Sequence, residues 1–154
     1  MVHRSEAQPL SGRPILSTEA LMGREPVATA RDAVRQFLIE VQAVHGIPVS
    51  VRVMGMVQLV ASELVTNAYK YAPGPCLLEL EISGGGVEVS VWDADPTLPV
   101  IRGVDPGRVG MHGLEIVTGV CRFLEIRREP VGKRIKAVIM LADDPGRRPA
   151  CLVM

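Results

Sequence analysis

The sequence has few of the features that mark several common classes of protein. Only two Phe, two Tyr and one Trp occur among its 154 residues, and 17 basic side chains are balanced by 17 acidic ones. A chain without net charge, without a basic block and with so few aromatic rings is unlike an electrostatic nucleic-acid binder or a basic membrane-surface helix. We therefore expect no direct contact with nucleic acid.

Cysteines and long apolar runs are also scarce. The three cysteines, Cys76, Cys121 and Cys151, are an odd number and include no Cys-x-x-Cys pair. This spacing argues against a disulfide framework or a zinc site and favours a reducing compartment. No run of 18 apolar residues occurs, and the first residues contain no apolar signal core. We expect a soluble, cytoplasmic protein that does not contact a membrane.

The length fits one domain with a substantial core, and the apolar periodicity divides it into segments. Residues 1–25 have little periodicity and predict a flexible lead with a short strand at 14–17. Residues 27–44 and 51–71 repeat apolar side chains at helical spacing. Gly46 and the Pro-Gly-Pro that follows the second segment are typical helix ends.

After the second helix the apolar period changes to that of β-strands. Two alternating stretches flank a run of glycines, which predicts a hairpin, and a third helix and a second hairpin follow a long loop. These elements are expected at 78–82, 87–93, 114–121, 122–129 and 134–141. The order predicts an α+β fold, a two-layer sandwich with a mixed, mostly antiparallel sheet and helices on one face. We expect the domain at 26–141 and an irregular tail at 142–154.

The stretch "ASELVTNAYKYAPG" places three polar side chains on one stripe of the second helix. Glu63 could orient a hydroxyl or accept its proton, and the neutral oxygen of Asn67 suits a hard cation such as Mg²⁺. Lys70 could face a phosphate. The alternative is an ordinary solvated helix face.

Asp93 ends the strand "VEVSVWD" with the same parity as the valines that face the core. A carboxylate in that position requires a hydrogen-bond donor, because an unpaired buried charge is costly. The alternative is that Asp93 opens a turn, for which aspartate is well suited.

The loop at 94–112 is longer than most connections in compact domains, and such loops are often lids. Gly107, Gly110 and Gly113 lead from it into the third helix. Glycines there allow backbone N–H groups and the helix N-terminus to approach a phosphate. A plain surface loop is the alternative.

Taken together, Glu-x-x-x-Asn on a helix, an Asp at a strand end and a glycine-rich stretch before a helix resemble one known family. This is the histidine-kinase-like ATPase fold that gyrase, the heat-shock chaperone, histidine kinases and mismatch-repair ATPases share. "LVASELVTNAYKYAPG" is most similar to anti-sigma-factor serine kinases and to actinobacterial ATP-binding regulatory proteins. The resemblance covers residues 26–141.

The resemblance implies a site for ATP and Mg²⁺. Asn67 would hold the Mg²⁺ that bridges the phosphates, Glu63 would be the catalytic base, and Asp93 would accept the exocyclic amine of adenine. The remaining nucleotide contacts would come from the lid and the second helix, at Lys70, Gly110, His112, Gly113 and Leu114.

Three positions depart from the family pattern. Asp95 stands where the first glycine of Asp-x-Gly-x-Gly is usual, and the lid motif from Gly110 to Gly113 is one residue longer. Arg134 stands where a hydroxyl residue is frequent. These departures bear on phosphotransfer more than on ATP binding.

The function that the resemblance implies is a cytoplasmic regulator that phosphorylates a serine on an antagonist protein and sequesters a sigma factor. Members of this family commonly form homodimers, and the resemblance implies one here. The alternative is a partner-binding module, nucleotide-responsive or nucleotide-independent, without catalytic turnover.

Overall fold

A computed structural model describes residues 16–95, 113–142 and 152–153. Three helices and a mostly antiparallel sheet form an α+β fold that is compatible with a two-layer sandwich. The elements are β1 (Leu16–Met22), α1 (Ala28–His45), α2 (Val51–Tyr71), β2 (Cys76–Ser83), β3 (Gly86–Asp93), α3 (Gly113–Val120), β4 (Phe123–Arg128), β5 (Lys133–Met140) and β6 (Leu152–Val153). No described helix combines the length and the apolar character that crossing a membrane requires.

Local chemistry accounts for the start of α2 and the end of α1. The Ser50 side chain caps α2 by accepting a hydrogen bond of 3.1 Å from the N–H of Val53. Gly46 ends α1 in the left-handed conformation, with φ of 67°, which a glycine adopts without steric penalty. The bounds predicted for α2 are those observed, and those of α1 and α3 differ by one residue at each end.

The strands lie in the order β1-β2-β3-β5-β4-β6, antiparallel except for the β4–β6 pair. Gly84 and Gly85 join β2 to β3, both with positive φ, as the tight turn of a two-residue hairpin requires. Alternate residues of the inner strands are buried against the helices, among them Val87, Val89 and Val91. The sheet therefore has one core face, which α1 and α2 cover.

Two elements differ from the expectation at the ends of the chain. β1 occupies Leu16–Met22, inside the stretch expected to be a flexible lead, and pairs with β2 along its full length. Leu152–Val153 forms β6, so the tail is not irregular throughout. Both are edge strands. β6 has only two residues, and the apolar residues of β1 do not alternate, so only a short strand at 14–17 was expected there.

The residues that follow β1 close the C-terminus of α2. Arg24, with φ of 80°, donates hydrogen bonds to the backbone oxygens of Tyr69 at 2.5 Å and Ala72 at 2.7 Å. Its guanidinium also lies 5.1 Å from the centre of the Tyr69 ring. A cation at this end of a helix is favourable because the last carbonyl groups have no partner within the helix.

We expect Arg24→Ala to destabilise the protein by about 1–3 kcal/mol, the range measured for hydrogen bonds to charged groups. Urea unfolding followed by circular dichroism measures the change. Arg35→Ala, which removes an exposed arginine of α1, is the control and should change stability little. Equal unfolding midpoints for the two variants would contradict the capping role.

Candidate functional site

A row of buried polar side chains crosses the core face of the sheet at one end. Asp93 lies opposite Lys133 in the β3–β5 register, and Cys76 begins the neighbouring strand β2 at the same end. The three residues are 6, 2 and 3 % exposed, respectively. The ends of three strands therefore place a carboxylate, an ammonium and a thiol together beneath the helices.

Asp93 faces the core side and also opens a turn, so the two interpretations of this residue hold together. Its Oδ1 accepts a hydrogen bond of 3.1 Å from Lys133 Nζ and one of 2.9 Å from the N–H of Asp95. The donor that a core-facing carboxylate requires thus comes from within the chain. Asp95 contributes its backbone N–H and its carbonyl oxygen to this turn.

Lys133 is the site residue that sequence reasoning missed. Its side chain is 2 % exposed, and its Nζ donates both to Asp93 and to the backbone oxygen of Asp95 at 3.1 Å. The signal was available in the sequence, because Lys133 shares the parity of the buried Ile135 and Ala137. A lysine that begins a core face needs a carboxylate partner, and Asp93 ends the core face of the other hairpin.

The backbone around this ion pair is tightly packed. Gly132 has φ of 85°, and a Cβ at this position would lie 1.8 Å from the backbone oxygen of Asp93. Only glycine allows the chain entering β5 to pass so close to the end of β3.

Cys76 contributes a neutral neighbour to Asp93. Burial, followed by the negative charge of Asp93, raises the pKa of the Cys76 thiol to about 11. The thiol therefore remains protonated at neutral pH and does not compete with Asp93 for the Lys133 ammonium.

The side chain of Glu63, a residue of α2, lies against the start of α3. A Cβ on Gly113 would lie 2.9 Å from Glu63 Oε1, so the carboxylate rests directly against the first residue of that helix. The position is favourable because the N-terminus of a helix carries partial positive charge. The structure thus brings together two of the predicted site residues, Glu63 on α2 and Gly113 on α3.

The other predicted site residues differ in their surroundings. Asn67, one turn after Glu63, is half-buried, and Lys70 is exposed. Leu114 is 6 % exposed and belongs to the hydrophobic core, where it anchors α3. Gly110 and His112 lie outside the described residues.

Arg134 does not lie beside Asp93. It pairs in the register with Trp92, and its guanidinium lies 5.0 Å from the centre of the indole ring. Since successive residues of a strand face opposite sides, Arg134 is on the side of the sheet opposite to Asp93. The cation that lies beside Asp93 is Lys133.

Among the described residues, no group of three or more His, Cys, Asp or Glu side chains is arranged to hold a metal ion. Mg²⁺ at a nucleotide needs few protein ligands, because phosphates and water supply the rest.

Comparisons with known proteins add no relative to this description. No family model matches the chain, and no curated protein matches it. The resemblance to the ATPase family therefore stays a prediction from the sequence motifs.

Proposed function

We propose that this protein is a cytoplasmic ATP-binding regulator of the anti-sigma-factor type. It would phosphorylate a serine of an antagonist protein and sequester a sigma factor. The observation that carries the proposal is the contact between Glu63 and Gly113. It brings the candidate catalytic base on α2 next to α3, the two elements between which the resemblance implies the phosphates.

The adenine end of the nucleotide would bind at Asp93. An ionised carboxylate has two oxygens and about four acceptor positions, of which Lys133 and Asp95 take two on Asp93 Oδ1. Asp93 thus retains capacity for the exocyclic amine of adenine.

The roles of the other residues follow from their chemistry. Bound ATP would supply the phosphoryl group that is transferred, and Asn67 would hold its Mg²⁺. Glu63 would orient the serine hydroxyl and accept its proton. The remaining contacts would be made by Lys70, Gly110, His112, Gly113 and Leu114.

We expect Glu63→Gln to reduce phosphotransfer by about 100-fold or more, the usual contribution of a positioned base, with ATP affinity little changed. Glutamine keeps the size of the side chain but cannot accept the proton. Transfer of labelled phosphate from ATP to an array of serine peptides measures the first quantity, and calorimetry measures the second.

Glu40→Gln, which alters an exposed glutamate of α1, is the control and should leave both quantities unchanged. If Glu63→Gln retains full phosphotransfer, Glu63 is not the base. If the unaltered protein transfers no phosphate but binds ATP, the kinase activity is wrong and ATP binding stands.

A partner-binding module without turnover is the second candidate function. The Asp93–Lys133 ion pair favours it, because an already neutralised carboxylate has less need of a ligand. Calorimetry with ATP and ADP, with and without Mg²⁺, identifies a nucleotide-independent module, which gives no binding heat at millimolar ATP. A nucleotide-responsive module binds ATP but transfers no phosphate in the peptide assay.

A further inference from the structure

Asp93, the carboxylate that would bind the adenine amine, already accepts a hydrogen bond from a charged donor. Asp93 Oδ1 and Lys133 Nζ are 3.1 Å apart, and both side chains are only 2 % exposed. A hydrogen bond between ionised groups is roughly twice as strong as one between neutral groups. A neutral amine that approaches the remaining acceptor positions of Asp93 therefore meets a carboxylate whose charge Lys133 already offsets.

Lys133 is also held from two further directions. Its Nζ donates to the backbone oxygen of Asp95, and the close approach of Gly132 to Asp93 fixes the backbone at the start of β5. Among the described residues, the contacts of Lys133 Nζ thus hold the ammonium against the turn that Asp93 opens. The ion pair is built into the fold and does not depend on an exposed side chain that happens to lie nearby.

We infer that Lys133 is the residue that sets the nucleotide affinity of this site: its ammonium offsets the charge of Asp93 through Oδ1, so an entering base meets a weaker acceptor at the remaining positions. This inference rests on the proposed ATP binding. The base then gains a hydrogen bond to a carboxylate that is already paired, while the ion pair stays in place. The net affinity is lower than the same pocket would give with a neutral residue at position 133.

The test is calorimetric binding of ATP to the full chain and to Lys133→Met. Methionine has similar length but cannot donate, so Asp93 is left without its cation and offers the adenine amine a stronger acceptor. We expect Lys133→Met to bind ATP about tenfold more tightly or better, equivalent to about 1.4 kcal/mol.

A second readout does not depend on activity. Without ATP, Lys133→Met should unfold at lower urea concentration than the unaltered protein, because a buried carboxylate has lost its partner. Saturating ATP should raise its unfolding midpoint by more than it raises that of the unaltered protein, as tighter binding to the folded state requires.

Lys136→Met is the matched control. Lys136 lies on the same strand but on the other face, where it pairs with Glu88 at 3.6 Å and Glu125 at 3.8 Å. Its replacement should leave ATP affinity unchanged. If Lys133→Met is too unstable to measure, Lys133→Gln removes the charge and keeps a neutral donor, and it should also bind ATP more tightly than the unaltered protein.

The outcomes separate this inference from the proposed function. If the unaltered protein binds ATP and the Lys133 variants bind it equally or more weakly, the inference is overturned and ATP binding stands. If neither the unaltered protein nor any variant binds ATP, the proposed function is wrong and the inference falls with it. If the unaltered protein binds ATP, the Lys133 variants bind it more tightly and Lys136→Met does not, both the proposed function and the inference are supported.

Discussion

Gly132→Ala is expected to prevent folding or to destabilise the protein by more than about 4 kcal/mol, a range that only severe steric or buried-charge defects reach. The new Cβ would lie 1.8 Å from the backbone oxygen of Asp93 and 2.8 Å from the Cα of Ala94. Both are backbone atoms that cannot rotate away, and the φ of 85° adds a further penalty for any residue with a Cβ. Urea unfolding followed by circular dichroism measures the loss.

Gly46→Ala is the matched control for this prediction. Gly46 also has positive φ, 67°, but a Cβ there would have no atom within 4 Å. Its replacement should cost only the left-handed conformation, about 1–2 kcal/mol. If Gly132→Ala is no less stable than Gly46→Ala, the result contradicts the close contact between Gly132 and the backbone at the end of β3.

The second large effect is expected for Asp93→Leu. Leucine has similar volume but leaves the Lys133 ammonium buried without its carboxylate, and breaking a buried ion pair from one side typically costs about 3–5 kcal/mol. Replacing both residues, as Asp93→Leu/Lys133→Met, removes the unpaired charge and should recover most of that loss. Urea unfolding of the two single variants and the double variant measures the coupling.

A more exposed ion pair between the same two strands, Glu88 of β3 and Lys136 of β5, provides the comparison. Glu88→Leu breaks the contact with Lys136, in which the side chains are 22 and 21 % exposed. Water screens such a pair, so the expected loss is at most about 1 kcal/mol.

The double variant Asp93→Leu/Lys133→Met decides the prediction for the buried pair. If it is no more stable than Asp93→Leu alone, the Asp93 and Lys133 charges do not stabilise each other.

Periodicity and capping predicted the part of the fold that local chemistry specifies. The bounds of α2 were predictable because Ser50 caps one end and a Pro-Gly-Pro sequence follows the other. β1 was placed too early and only in part, since an edge strand buries few of its residues and the apolar residues of "LSTEALM" do not alternate. Two-residue β6 is too short for any pattern.

The candidate site was less predictable than the fold, because its contacts depend on register and packing. The parity of Asp93 indicated a core-facing carboxylate, but its partner became evident only from the pairing of β3 with β5. The contact between Glu63 and Gly113 depends on how α2 and α3 pack, which no spacing within one helix contains. From the sequence, the hydrogen-bond donor to Asp93 was expected to come from bound adenine, whereas in the structure Lys133 donates to it.

The order of the strands has a consequence for how the chain assembles. β2 and β3 are joined by two glycines, whereas β3 and β5, neighbours at the middle of the sheet, are separated by an excursion that departs at Asp93 and returns 40 residues later at Lys133. Closing a loop of that length costs more chain entropy than closing a tight turn. Joining the two hairpins at the middle of the sheet therefore costs more chain entropy than forming either hairpin, and the contact that closes this excursion is an ion pair between a carboxylate and an ammonium.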